Sequence, residues 1–285
     1  MVMLVCAAIL LAVNFALTKC YQKIGSGSTY ELLMFNALSG VFTAVIFFVA
    51  SGFKVHFNLF SLLMSFLGAL LVFLYKMIGF KIMDKGKISI YTMFLMAGGM
   101  ILPYLYGVLF LQEEITLLKI IGLVVIILSL VISNLEEMKL DFKMIVMCIL
   151  VFLLNGCVSI VLKAHQINEN AVPTNDFVVV NSLFSALAGY ILAFVYREKD
   201  AKNEQKKSKL KQILIVLLVA VSGGVSSFLQ LKGAENLPAS VLYPVITGGT
   251  VIFTALAGRI FFKEKGSLKL NVGLALCFLG TCMFL

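Results

Sequence analysis

The sequence predicts an all-α membrane protein: ten transmembrane helices arranged as two inverted five-helix repeats. Three observations predict it. Of the 285 residues, 61% are hydrophobic and 13% charged, with a mean hydropathy of +1.05, too little polar material to cover a water-soluble globule of that length. The apolar residues fall in ten long runs, and a hydrocarbon core of about 30 Å takes about 20 helical residues to cross. One half of the chain also repeats the other. Lys19-Cys-Tyr-Gln22, followed by Thr29-Tyr-Glu31 and Asn36, returns as Lys163-Ala-His-Gln166, followed by Thr174-Asn-Asp176 and Asn181.

The ten runs cover residues 2 to 19, 30 to 51, 58 to 80, 88 to 111, 117 to 134, 143 to 163, 176 to 196, 212 to 232, 239 to 262 and 268 to 285. Residues 1 to 137 form the first repeat and 138 to 285 the second. The register extends further: Phe110-Leu-Gln-Glu113 and Gly122 are echoed by Phe261-Phe-Lys-Glu264 and Gly273, and Gly98-Gly99 by Gly248-Gly249 within one residue. A period of half the chain is too long for a solenoid and suits a duplicated membrane module. Each unit has an odd number of spans, so the second copy enters the membrane from the opposite side. Arg197 to Lys211 is a charged connector, and Leu135 to Lys143 is the short link between the halves. Met1 to Leu17 lacks a basic n-region and fits the first span better than a cleavable signal peptide.

The net charge of +9 does not imply nucleic acid, because the basic residues sit between apolar runs and form no stripe with interleaved aromatics. Of the 23 Lys and Arg residues, all but Lys54, Lys119, Lys163 and Lys232 fall at one face of a ten-span arrangement. Taken literally, the concentration of Lys and Arg in cytoplasmic loops puts both termini outside. Lys206-Lys-Ser-Lys-Leu-Lys211 reads as a collar meeting anionic membrane lipid. Cys6, Cys20, Cys148, Cys157, Cys277 and Cys282 have neither Cys-x-x-Cys spacing nor a histidine pair beside them, and read as apolar packing residues. No metal or cofactor site is expected. The sequence carries no nucleotide-binding loop, zinc helix or nucleophile elbow.

The chain resembles the drug/metabolite transporter superfamily, specifically its ten-span EamA-type branch. In the first half the resemblance is carried by Asn14-Phe-Ala-Leu-Thr-Lys19, Gly79-Phe-Lys-Ile-Met, Phe110-Leu-Gln-Glu113-Glu-Ile-Thr116 and Ile121-Gly122. In the second half it is carried by Gly233-Ala-Glu-Asn-Leu-Pro-Ala-Ser-Val, Tyr243-Pro244, Phe262-Lys-Glu264 and Val272-Gly273. These short motifs span essentially the whole chain and say almost nothing of the substrate. Tyr243 to Leu285 is also similar to the corresponding part of the four-span small multidrug resistance proteins. The membrane-embedded glutamate of those proteins has no counterpart in Ala7 to Asn14 or Met147 to Asn155, so proton coupling by that device is not implied. The resemblance implies cytoplasmic termini, against the charge count.

Polar residues deep in a span are the default functional candidates, since lipid makes them costly. Asn14 and Thr18 on span 1, and Asn155 and Ser159 on span 6, are spaced i and i+4 on one face of each helix. They either line a midplane cavity or bond helix to helix. Lys76 and Gln230 precede Gly79 and Gly233 by three residues. Lys76 either snorkels to the interface or reaches an anionic group in the cavity. Tyr104 and Tyr243 complete the candidate substrate contacts. Gly98, Gly99, Pro103, Pro244, Gly248 and Gly249 permit kinks or close approach in spans 4 and 9, suiting either a gate or plain packing. Glu31 and Asp176 read as first-turn acids behind Thr29 and Thr174 caps, Glu113 and Glu264 as turn-closing residues, and His165 as a solvated loop residue.

The family resemblance and the inverted repeat together imply a monomeric secondary transporter in which spans 1, 3, 4, 6, 8 and 9 enclose a cavity for a small organic metabolite or drug. A membrane-embedded enzyme would need clustered His, Asp or Glu at one face, which the sequence lacks. A scaffold or assembly protein would tolerate a dry, packed centre.

Overall fold

In the computed structural model the described residues are 2–24, 28–83, 88–134, 141–196, 209–263 and 268–284. They form ten α-helices: α1 (Val2–Ile24), α2 (Thr29–Ala50), α3 (Leu59–Met83), α4 (Ile88–Phe110), α5 (Leu117–Asn134), α6 (Phe142–Gln166), α7 (Thr174–Tyr196), α8 (Lys209–Asn236), α9 (Ala239–Phe262) and α10 (Leu268–Cys282). Eight are long and apolar enough to cross a bilayer, and α5 and α10 are shorter apolar helices. Each of the ten apolar runs corresponds to one helix. The bounds differ most where polar residues extend a helix beyond its apolar run, as at residues 20–24 of α1 and at both ends of α8.

Local chemistry sets several starts. Ser28 caps α2 by accepting from the Glu31 amide at 3.1 Å. Asp141 caps α6 by accepting from the Met144 amide at 2.8 Å, and Asn58 accepts from the Ser61 amide at 2.8 Å as α3 begins. A side-chain oxygen at this position satisfies an amide the helix cannot.

The helices pack in a pattern that is its own image when α1–α5 exchange with α6–α10. Helix α2 packs on α7, α4 on α9 and α5 on α10, each against its own repeat mate. The α1–α8 contact is mirrored by α3–α6, α1–α9 by α4–α6, and α2–α8 by α3–α7. Gly40 of α2 lies against Ala186, and Gly189 lies against Ala37. Contacts that advance on one helix while receding on its mate make the pair antiparallel, which an axis along the membrane normal could not do. The halves are inverted repeats, about an axis in the membrane plane.

The largest buried cluster joins α1, α4, α5, α8, α9 and α10 through Leu4, Met100, Ile126, Ala234, Leu242 and Cys277, among others. Leucines such as Leu183, Leu187, Leu214 and Leu218 are exposed on the outer surface, as expected where the solvent is lipid.

Three local readings change. His165 lies inside α6 and is completely buried. Its Nε2 is 2.9 Å from Ser61 Oγ, and its ring stacks on Phe177 with centroids 3.8 Å apart. The helix runs past the apolar segment, and the start of α3 covers it. The cap of α2 is Ser28, one residue before Thr29. Thr174 is already the first residue of α7, donating to Gln166 Oε1 at 3.3 Å. Asp176, also buried, instead accepts from the backbone amide of His56 in the α2–α3 loop, at 2.9 Å. Glu264 and the Lys206–Ser208 part of the basic collar lie outside the described residues.

Candidate functional site

Ten alternating spans put the α2–α3, α4–α5, α6–α7 and α8–α9 connections on one face, together with the chain ends. There the α8–α9 turn is gripped from two sides. Lys163 of α6, 4% exposed, donates to the carbonyls of Ala234 and Leu237 at 2.6 and 2.7 Å. Glu113, from the α4–α5 connection, accepts from the amides of Ala239 and Ser240 at 2.6 and 2.8 Å. A cation thus meets the carbonyl end of α8 and an anion meets the amide end of α9, the signs each helix end favours. Gly107 makes room for this, since a Cβ there would lie 2.5 Å from Glu113 Oε2. Close by, the Tyr104 hydroxyl and Ser240 Oγ are buried without a hydrogen-bond partner among the described residues.

Asn14 and Asn155 each join two helices. Asn14 Nδ2 donates to Val219 O of α8 at 2.9 Å, and Asn155 Nδ2 donates to Leu95 O of α4 at 2.7 Å. These contacts are not symmetry mates, because the register matching Lys19 to Lys163 pairs Asn14 with Val158. In both asparagines Oδ1 has no hydrogen-bond partner among the described residues. Thr18 donates to Asn14 O of its own helix. Ser159 Oγ donates to Asn155 O at 3.4 Å, and its backbone carbonyl accepts from the Tyr243 hydroxyl at 2.7 Å. Gln230 donates to Ser226 Oγ, which itself donates to Ala7 O of α1.

The structure therefore gathers Asn155, Ser159 and Tyr243 on one side, joining α4, α6 and α9. It gathers Asn14 and Gln230 along the α1–α8 contact. Lys76 belongs to neither group and has no hydrogen-bond or ion-pair partner among the described residues.

The glycine pairs lie where helices meet. A Cβ on Gly98 would collide with Phe152 O of α6, one on Gly99 with Asn155 Nδ2, and one on Gly248 with Thr281 Oγ1 of α10. Gly249 would meet Ala8 Cβ of α1 at 3.0 Å. Pro103 and Pro244 sit within α4 and α9, which continue through them.

A model of the EamA-like transporter family matches residues 142–285, half of the chain. The chain belongs to the EamA-like transporter family. A stretch of 89 residues, 30% of this EamA-like chain, is 32% identical to 78% of the probable 4-amino-4-deoxy-L-arabinose-phosphoundecaprenol flippase subunit ArnE of Hamiltonella defensa subsp. Acyrthosiphon pisum (strain 5AT). A crystal structure at 14% identity superposes with a TM-score of 0.76, covering 98% of this chain and 94% of that one, and shows the same fold. The protein is accordingly a multi-pass membrane protein of a transporter family.

In this EamA-like fold, sequence reasoning underrated Lys163, Glu113 and His165, whose partners lie on other helices. The one signal available was that Lys163 and Glu113 each recur in the other repeat, as Lys19 and Glu264. It also gave no sign of an apolar groove of about 160 Å³ between α3 and α7, lined by Phe66, Leu70 and Phe73 and by Phe184, Leu187 and Ile191.

Proposed function

We propose that this protein is a secondary active or facilitative transporter of the plasma membrane, a bacterial inner membrane, acting as a monomer. It moves a small organic metabolite or drug by alternating access around a midplane cavity. The observation carrying this reading is the packing of α2, α4 and α5 each on its own inverted mate. Two halves joined at self-paired contacts have two nearly equivalent arrangements, related by exchanging their roles, so a modest binding energy can shift the balance between them. In this reading the grip on the α8–α9 turn closes one face, and the Oδ1 atoms of Asn14 and Asn155 are the acceptors offered to the solute.

The test is uptake into proteoliposomes across amino acids, amines, sugars, nucleosides and organic acids, paired with ligand-dependent thermal shifts. Saturable movement of one class supports the reading. No movement and no shift with any of them would favour a scaffold role. A Ser208→Cys variant labelled only from the cytoplasm would support the orientation given by the charge count, and labelling from outside would support cytoplasmic termini.

A second reading gives the cargo a lipid tail. The groove between α3 and α7 and the likeness to a flippase subunit support it. Phe73→Trp, which fills the groove, would then slow transfer of a tailed substrate and leave its tail-less analogue unaffected.

A further inference from the structure

Helix α3 has two distinct faces. Leu63, Leu67, Leu70 and Leu74 recur at helical spacing and are 57%, 40%, 40% and 39% exposed, marking the side turned to lipid. Ser61, Ser65 and Ala69 also recur at helical spacing and are 1%, 0% and 4% exposed, marking the side turned into the bundle. Continuing that row a turn at a time leads through Val72 to Lys76, both of them partly exposed. Lys76 lies within the membrane-crossing stretch Leu59–Gly79. By this spacing it lies on the bundle side of α3, opposite the leucine row that meets lipid, so snorkelling along the lipid face is not its direct route to water.

An ammonium in that position needs a partner. Lys163 has two carbonyls and the nearby Glu113 charge, whereas Lys76 has no protein partner among the described residues. In the other repeat, the residue three before Gly233 is the neutral Gln230, tied to Ser226. Fold symmetry therefore does not require a cation at this place.

We propose that the Lys76 ammonium binds an oxyanion, a phosphate or carboxylate, carried by the transported solute. The assignment rests on the transporter reading and narrows the cargo to anionic organic molecules. Lysine presents three rotatable donors on a compact charge, suited to gripping an oxyanion while letting it leave as the pocket changes shape.

The test uses the full-length protein in phosphatidylcholine nanodiscs, free of competing anionic lipid. The probes are a hexose 1-phosphate, a dicarboxylate and a prenyl monophosphate, each beside its uncharged counterpart. At least one oxyanion should raise the unfolding temperature where its counterpart does not. Lys76→Gln should weaken that response about tenfold or more, and Lys76→Arg should largely restore it. Ligand-free Lys76→Met should unfold at or above the wild-type temperature, because it removes an unpartnered charge.

A response to the soluble phosphate or carboxylate would identify a free metabolite as the source of the oxyanion. A response to the prenyl phosphate alone would identify a lipid-borne head group. An unchanged response in Lys76→Gln, a destabilised ligand-free Lys76→Met, or no anion response in the wild type would overturn the proposal. Uptake separates this from the parent reading: uptake of uncharged solutes without any anion response would discard the Lys76 site and leave transport standing. Anion binding with no movement of any solute would do the reverse.

Discussion

Lys163 and Lys76 are both lysines inside membrane-crossing helices, yet their surroundings differ in every respect that matters electrostatically. Lys163 has its charge spent on the carbonyl end of α8, with Glu113 acting on it from beside the start of α9. Lys76 faces the bundle with no partner among the described residues. An intramembrane cation is functional by default only until its partners are counted. Here the count separates a lysine that holds a turn from one that has no partner among the described residues.

The largest effect is expected at the first. Lys163→Met takes the ammonium donor from one buried and one partly buried carbonyl at the end of α8, which should cost about 2–3 kcal/mol of stability. Thermal unfolding in detergent checks it, and Lys76→Met measured in parallel should show no loss. Equal losses would erase the distinction between the two sites.

Glu113→Gln tests the other jaw. The amide keeps one acceptor oxygen for the Ala239 and Ser240 amides but withdraws the negative charge from the amide end of α9, for a loss of about 1–2 kcal/mol. The effect should depend on Lys163: in a double-mutant cycle the combined cost should fall short of the sum, since both residues hold one turn. Strict additivity would mean that the two grips act separately.

Asp176→Asn is expected to be milder, about 1 kcal/mol or less. The His56 side chain it contacts is 76% exposed, although the Asp176 side chain itself is 4% exposed. Loss of the His56 backbone contact should show first as faster amide exchange in the α2–α3 loop, with the rest of the bundle unchanged.

These contrasts also mark what the sequence could tell. Span number, inverted topology and the positions of the glycine pairs were legible, because apolar length, repeat register and small residues are properties of the chain itself. The role of Lys163 was not, because its acceptors lie 71 and 74 residues away on a helix end. Glu113 read as a residue closing its own turn, while its carboxylate meets amides 126 and 127 residues further on. His165 read as solvated because it stands where the apolar run ends, and only the fold brings Ser61 and Phe177 over it. Spacing along a helix tells which residues share a face; it does not tell what that face meets. That is also why the sequence leaves Lys76 between snorkelling and binding, while the burial of Ser65 and Ala69 puts its row on the bundle side of α3.

Asn14 and Asn155 fall between the two lysines, each with its amide nitrogen committed to a neighbouring helix and its Oδ1 without a partner among the described residues. Replacing either by alanine removes its bond to a carbonyl of the neighbouring helix, and at Asn14 also a longer one of 3.5 Å to Ser222 Oγ, for a loss of about 0.6 kcal/mol per site in a membrane. The two bonds join different helix pairs, α1 with α8 and α4 with α6, so the losses should add to roughly 1.2 kcal/mol in the double variant. If the free oxygens serve the solute, the double variant should remain folded by size-exclusion chromatography yet lose transport in proteoliposomes. Asn14→Asp and Asn155→Asp keep an acceptor in place but set a carboxylate against the carbonyl that the N–H met, so they should be less stable than the alanine variants yet retain more transport. If transport instead tracks stability across all four single variants, the asparagines are braces like Lys163. The cavity must then be assigned to other side chains, with Lys76 first among them.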